Sequence, residues 1–454
     1  MTYDVRGTPV SHVGSEAMDV YERALLQFQS YFGDPVATLD EAIAQSPDFT
    51  LAHLFRSIVL LTFSEQGLVG EARKSLQAAE TLLGQANERE RGLFNAARKM
   101  ADGDWDGACV AFDRVLVDYP RDALAIQAAH LMDFYRGDAL NLRNRISRVM
   151  PAWGPTVPSY SYILGMHAFG LEECNQYADA EATARRALEI EARDPWAVHA
   201  ATHVMEMQGR CEEGIAWLES REQDWAPDNG FAFHNWWHLA LYYLDTQQTG
   251  RVFELYDRHI YPGSAAAILQ LIDATALLWR LYLEDVDVSS RAAVLADDWA
   301  RRIAVERGYY AFNDFHAVLA LTMAGRESMA REVVREMEQT AILAGMERSN
   351  IAMTREVGLP LVRGILAFGR QRYGEAVEQI GAVRDIAHRF GGSHAQRDVV
   401  GLTLIQAALR GGQLSLARHL IGERTVHKPA GNTGWRLLGR TALRSSQAGE
   451  RLAA

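Results

Sequence analysis

Apolar residues recur at three- and four-residue spacing along almost the whole chain, and strand-like alternation is scarce. This is the signature of amphipathic helices packed on one another. The pattern also repeats at a larger period. In "ADGDWDGACVAFDRVLVDYPRD" a turn at Gly103 is followed five residues later by small Ala108. "ECNQYADAEATARRALEIEARDP" places Asn175 and Ala180 in the same way. Gly209 with Gly214, Gly325 with Ala330, Gln371 with Ala376 and Gly412 with Ala417 continue the series. Asn175 to Gly209 is 34 residues, Gly67 to Gly103 is 36, and later intervals are about 38 to 46. Near Asp138 and near 286 the repeat is weak and only inferred.

A turn residue joining two helices, with a small residue that lets them approach, defines a helix pair that cannot bury its apolar face alone. The pattern resembles the tetratricopeptide repeat. It predicts an all-α, right-handed superhelical solenoid of about ten tetratricopeptide-like helix pairs. We read residues 1–454 as one such array, with N-terminal repeats over 1–157, core repeats over 158–425 and a C-terminal capping helix or tail over 426–454.

Composition narrows the setting. No apolar run approaches the roughly 20 residues that span a bilayer, and the start "MTYDVRGTPVSHVGSE" lacks a secretory pattern, so no membrane role and a cytoplasmic location are expected. Cys109, Cys174 and Cys211 lie far apart without CxxC spacing and read as reduced packing residues. The net charge of −12 argues against a nucleic-acid partner, and the basic "RLLGRTALR" reads as a solvated final helix. No Gly-rich phosphate loop follows a strand, so neither nucleotide nor flavin is expected.

The candidate chemistry is histidine-rich. "HAATHVMEMQGR" puts His199, His203 and Glu206 within about 60° of one another on a helix. That stripe is set apart from the apolar face carrying Val198, Ala201 and Met205. Because the stripe is on the first helix of its pair, the resemblance to tetratricopeptide solenoids implies that it lines the concave surface. "HNWWHLALYYL" places His234 and His238 beside Trp237 on a helix with almost no polar face, so these rings are expected to be buried and neutral. "FNDFHAVLALTMAGR" holds Asp314 and His316, the latter spaced from its turn as His238 is from Gln247, which favours a packing role.

Together "HVMEMQGR", "HNWWHLALYYL" with "YDRHI", "FNDFHAVLAL", "VGLPL" and "GGSHAQRDV" resemble the tetratricopeptide repeat protein 38 family, in the right order from about residue 160 to 425. The resemblance implies a helical-repeat fold and names no substrate. Within "GGSHAQRDV", Gly391 and Gly392 permit a sharp turn, and Ser393 or Asp398 is placed to start a helix. His394, Gln396, Arg397 and Asp398 are ligand-contact candidates, with a helix start and an Arg–Asp ion pair as the plainer alternative.

Three readings of the histidines follow. His199, His203, His234 and His238 form two i, i+4 pairs that can hold zinc or iron, although HExxH is absent. In a metal-free pocket, His199 and His203 move protons, Glu206 orients an imidazole, and Trp237 and the remaining candidates contact a small organic ligand. In the third reading the histidines only organise packing. At the level of function, an enzyme of hydrolase or lyase type stands against a scaffold that binds a peptide or protein in its groove. The aromatic helix around Trp236 is compatible with a homodimer contact.

Overall fold

The computed structural model describes residues 2–11, 14–343 and 348–453. Among them the chain is all-α in architecture, with twenty-five α-helices and one two-residue β-hairpin, Thr2–Tyr3 against Pro9–Val10. The hairpin was not expected from the hydrophobic pattern. It is closed by Asp4, whose side chain accepts the Arg6 and Thr8 N–H groups at 3.0 and 2.8 Å.

The helices divide between two compact units. One comprises residues 1–201, 222–232 and 344–350, and the other residues 202–221, 233–343 and 351–454. In each, helices pack on their sequence neighbours. In the first unit Thr50–Thr62 packs on Gln66–Leu82, Glu88–Asp102 on Trp105–Asp118, and Tyr160–Glu173 on Tyr177–Ile190. In the second, Ser289–Glu306 packs on Ala311–Met323, Leu359–Gly369 on Tyr373–Gly381, and His394–Arg410 on Leu414–His427. The helix Ile268–Leu283 is central there, touching both Ala311–Met323 and His394–Arg410.

The turn residues do what the repeat requires. Gly103, Asn175, Gly209, Gln247, Gly325, Gln371 and Gly412 all take positive φ, between 60° and 81°. The backbone thereby reverses in one residue between paired helices. Two turns that the sequence left implicit are Gly137 (φ 64°) and Asp285 (φ 62°), at the weak points near 138 and 286. Gly67 is not a turn residue. It lies inside the helix Gln66–Leu82, and Ser64 (φ 53°) makes the reversal. The small residues five positions on, Ala108, Ala180, Ala330, Ala376 and Ala417, are fully buried. Acidic N-caps start several helices: the Asp104, Asp122 and Asp138 side chains accept the N–H of Gly107, Ala125 and Asn141.

Gly214 shows why the small position matters. A Cβ there would sit 2.2 Å from the Tyr242 ring. Tyr242 is fully buried and anchored by donating from its hydroxyl to the Thr202 carbonyl at 2.6 Å, so it has nowhere to move. Gly214→Ala is therefore expected to destabilise the protein by about 1–3 kcal/mol, as overpacking does. Denaturant unfolding of the two proteins checks it, and Gly250→Ala, at a site with no atom within 4 Å of a new Cβ, serves as the neutral control.

Candidate metal centre

Three histidines of the second unit meet in its interior. His203 comes from the helix Pro195–Gln208, and His234 and His238 from the helix Ala232–Asp245. Each is buried, at 0%, 4% and 0% exposure respectively. The His203 and His238 rings are 4.4 Å apart between centroids, and those of His234 and His238 4.8 Å, both edge to face. Each of the three offers a ring nitrogen within 4.8 Å of those of the other two.

Two carboxylates fix two of these rings. His238 Nδ1 donates to Glu206 Oε2 at 2.8 Å, and His234 Nδ1 donates to Asp273 Oδ2 at 2.6 Å. An ionised carboxylate only accepts, so each Nδ1 carries a hydrogen, and in a neutral imidazole that leaves the lone pair on Nε2. Asp273 is fully buried, and its other oxygen, Oδ1, has no hydrogen-bond partner among the described residues. Burial, reinforced by His203, His234, Lys428 and Arg280, holds the His238 imidazole well below its ordinary pKa and hence neutral. Trp237, fully buried, stacks on His234 at 5.3 Å and 13°.

Charged groups surround the histidines. Lys428 Nζ reaches Glu206 Oε1 at 3.2 Å and Asp398 Oδ2 at 3.8 Å. Arg424 grips both oxygens of Asp398. Burial opposes the charge of Asp398, yet Arg424 and Lys428 hold its carboxyl well below the usual carboxylate range. Arg280 donates to the carbonyls of Ala276 and Ala395 at 2.9 and 2.6 Å, with its guanidinium 5.4 Å from the Trp237 ring centre. Glu206, Arg280, Asp398, Arg424 and Lys428 all line a cavity of about 60 Å³.

His203, Glu206, His234, Trp237 and His238 come together, and Asp398 joins them through Lys428. His199 belongs to the other unit, where it is buried against Phe169 and Phe231 at 5.3 and 5.1 Å. The polar stripe is not an open surface: His199, His203 and Glu206 are 3%, 0% and 7% exposed. The helix is covered on this side too: His199 packs on Phe169 and Phe231, His203 on the His238 ring, and Glu206 accepts from His238. Ser393 is the N-cap of His394–Arg410, in a capping box with Gln396. The adjacent Arg397–Asp398 ion pair does not form, since Arg397 turns back to the Gly392 carbonyl and to His394 Nδ1 while Asp398 takes Arg424. His394, Gln396 and Arg397 do not line the cavity.

His316 and Asp314 lie elsewhere in the unit and have their own partners. His316 Nδ1 donates to the Phe312 carbonyl at 2.8 Å, and Asp314 accepts the Gly308 N–H at 3.1 Å. Asp273, Arg280, Arg424 and Lys428 were missed in the sequence. A signal existed for the first two: they are the only charged residues of the apolar stretch "ILQLIDATALLWRLYL", seven apart and so on one face.

Helix pairs, left-handed turns and buried small residues make the chain an all-α helical-repeat protein. No family model matches it. Among solved structures it is similar to the human IFIT1 dimer with m7Gppp-AAAA, at 13% identity over 96% of each chain with a TM-score of 0.44. It is also similar to yeast Tom70, at 11% identity over 95% of this chain and 88% of that one, TM-score 0.35. The P58(IPK) TPR domain matches at 14% identity over 88% of this chain and 98% of that one, TM-score 0.21. No described helix is long and apolar enough to cross a membrane.

Burial pushes the Asp314 carboxyl up to about 8, against about 3.9 in an unfolded chain. Between these values the folded state holds a proton that the unfolded state has lost, so stability falls as pH rises from about 4 to about 8. The expected slope from this one group approaches 1.4 kcal/mol per pH unit. Urea unfolding at several pH values checks it: Asp314→Asn is expected to flatten that slope relative to the parent protein.

Proposed function

We propose that this protein binds a first-row divalent ion, zinc or iron, through His203, His234 and His238. Held there, such an ion would supply Lewis-acid chemistry for hydrolysis of, or elimination from, a small organic molecule. One observation carries the reading: two of the three converging imidazoles are each held at Nδ1 by a buried carboxylate. Metal-ligating histidines show this arrangement, because the carboxylate fixes the tautomer, aims Nε2 and raises its basicity. Asp273 adds to the case. A buried carboxylate with one oxygen unmet is costly, and a cation on the far nitrogen of His234 relieves that cost.

Geometry is within reach of such an ion. Zinc–imidazole bonds of about 2.0–2.1 Å in a tetrahedral site bring nitrogens to about 3.3 Å of each other. Separations of up to 4.8 Å therefore need each ring to move by an ångström or less. Three protein ligands leave a fourth position, the mark of catalytic rather than structural sites. Glu206 would then position His238 rather than act on the reactant itself. No role in the centre is assigned to His199.

The motifs that resemble the tetratricopeptide repeat protein 38 family supply this centre. "HVMEMQGR" carries His203 and Glu206, "HNWWHLALYYL" carries His234 and His238, and "GGSHAQRDV" carries Asp398. Membership of that family is part of the proposal, and so are a cytoplasmic location and a small-molecule partner. A peptide-binding groove is the weaker alternative, since the histidines are enclosed.

Elemental analysis and zinc titration calorimetry on protein lacking a histidine tag test the reading. About one equivalent is expected, lost in His234→Ala and in His238→Ala. Asp273→Asn is expected to keep the fold and weaken affinity about 10–100-fold. Absence of stoichiometric binding in the parent protein overturns the proposal.

A further inference from the structure

The cavity beside the histidines is lined by Arg280 and Arg436 as well as by paired charges. Each carboxylate on its wall already has a partner. Asp398 is held by Arg424, Glu206 by Lys428 and Glu284 by Arg440. Asp245 accepts the backbone N–H groups of Asn432 and Thr433 at 2.8 and 3.0 Å. The two remaining guanidiniums differ. Among the described residues neither Arg280 nor Arg436 makes an ion pair with a carboxylate, and both spend their hydrogen bonds on carbonyls or a hydroxyl. Arg280 is only 4% exposed. Arg436 Nε is a buried donor with no acceptor.

Charge counting sharpens this. Around the cavity and the histidines, five carboxylates (Glu206, Asp245, Asp273, Glu284 and Asp398) face five cations (Arg280, Arg424, Lys428, Arg436 and Arg440), so the charges balance although Arg280 and Arg436 pair with no single carboxylate. Three neutral imidazoles would leave a divalent ion its full double charge. That charge, buried and unanswered, is expensive unless an anion enters with it. A water needs roughly 10–15 Å³ of such space, so about 60 Å³ admits several waters or an anion of a few heavy atoms. The volume excludes a nucleotide or a flavin.

Resting on the metal-binding reading above, we infer that this cavity is an anion subsite. Arg280 and Arg436 hold a carboxylate or small oxyanion there, beside the Glu206 that anchors His238, and so define the ligand as an anionic small molecule. A guanidinium fork suits planar carboxylates and tetrahedral oxyanions alike. Trp237 couples the two parts, with His234 stacked on its ring and Arg280 5.4 Å from its centre.

The test uses full-length protein loaded with Co²⁺, whose visible absorption reports changes at the metal, titrated separately with acetate and with phosphate. A saturable spectral change with either anion is expected. It should weaken at least about tenfold in Arg280→Met and in Arg436→Gln, with cobalt stoichiometry and melting temperature retained. Response to acetate alone assigns a carboxylate, and response to phosphate alone an oxyanion. Arg436 is only half-buried, so its variant decides the matter if Arg280→Met fails to fold. No response in the cobalt-loaded parent protein, or equal binding by the variants, overturns the inference while leaving the metal reading intact. If cobalt is not taken up, the metal reading fails alone. Thermal stabilisation of the metal-free protein by these anions, lost in Arg436→Gln, would still uphold the subsite, and its absence would overturn it.

Discussion

A carboxylate sealed among packed helices must be answered by a donor, and the interior of the second unit is organised by that demand. Glu206 is answered by His238 and Lys428, Asp273 by His234, and Asp398 by Arg424 and Lys428. These contacts join chain segments that are otherwise distant: Lys428 lies 222 residues from Glu206. Removing one partner leaves the other charged and desolvated, a penalty of several kcal/mol. The network therefore sets ring orientation, tautomer and local charge together. On the metal-binding reading proposed above, this is what distinguishes the histidines from a set of buried aromatic rings.

The scaffold supplies the precision for this. A helix reversing in one left-handed residue, as at Gly209 before Cys211–Ser220 or Gln247 before Thr249–Leu255, leaves little freedom in where the next helix lies. Small residues at the crossing remove the remaining slack, with Gly214 against the Tyr242 ring as the tightest instance. Sites built on such rigid elements hold their side chains better than sites on loops.

Much of this was legible along the chain, and for a definite reason. Helix pairing is a local property, so a turn residue and a small residue five positions on reveal it, and the left-handed residues fall where the repeat places them. The exception is Ser64, which makes the reversal in place of Gly67. The histidine pairs were legible from i, i+4 spacing alone. Their surroundings were not. A helical wheel shows a polar stripe but not what covers it, so His203 and Glu206 read as surface groups although both are buried. Arg424 and Lys428 sit in a polar helix end that looks solvated, and only tertiary folding brings them to Glu206 and Asp398. The Arg397–Asp398 pair failed because neighbours in sequence on a helix point about 100° apart.

The central claim is that three imidazoles, two of them oriented by buried carboxylates, form one metal-binding centre. X-ray absorption spectroscopy of the zinc-loaded protein tests it most directly. The account predicts a first shell of about four light atoms at about 2.0–2.1 Å, with the multiple-scattering pattern of three imidazoles, reduced to two in His203→Ala. A shell containing sulfur, or one with a single imidazole unchanged in that variant, would contradict it.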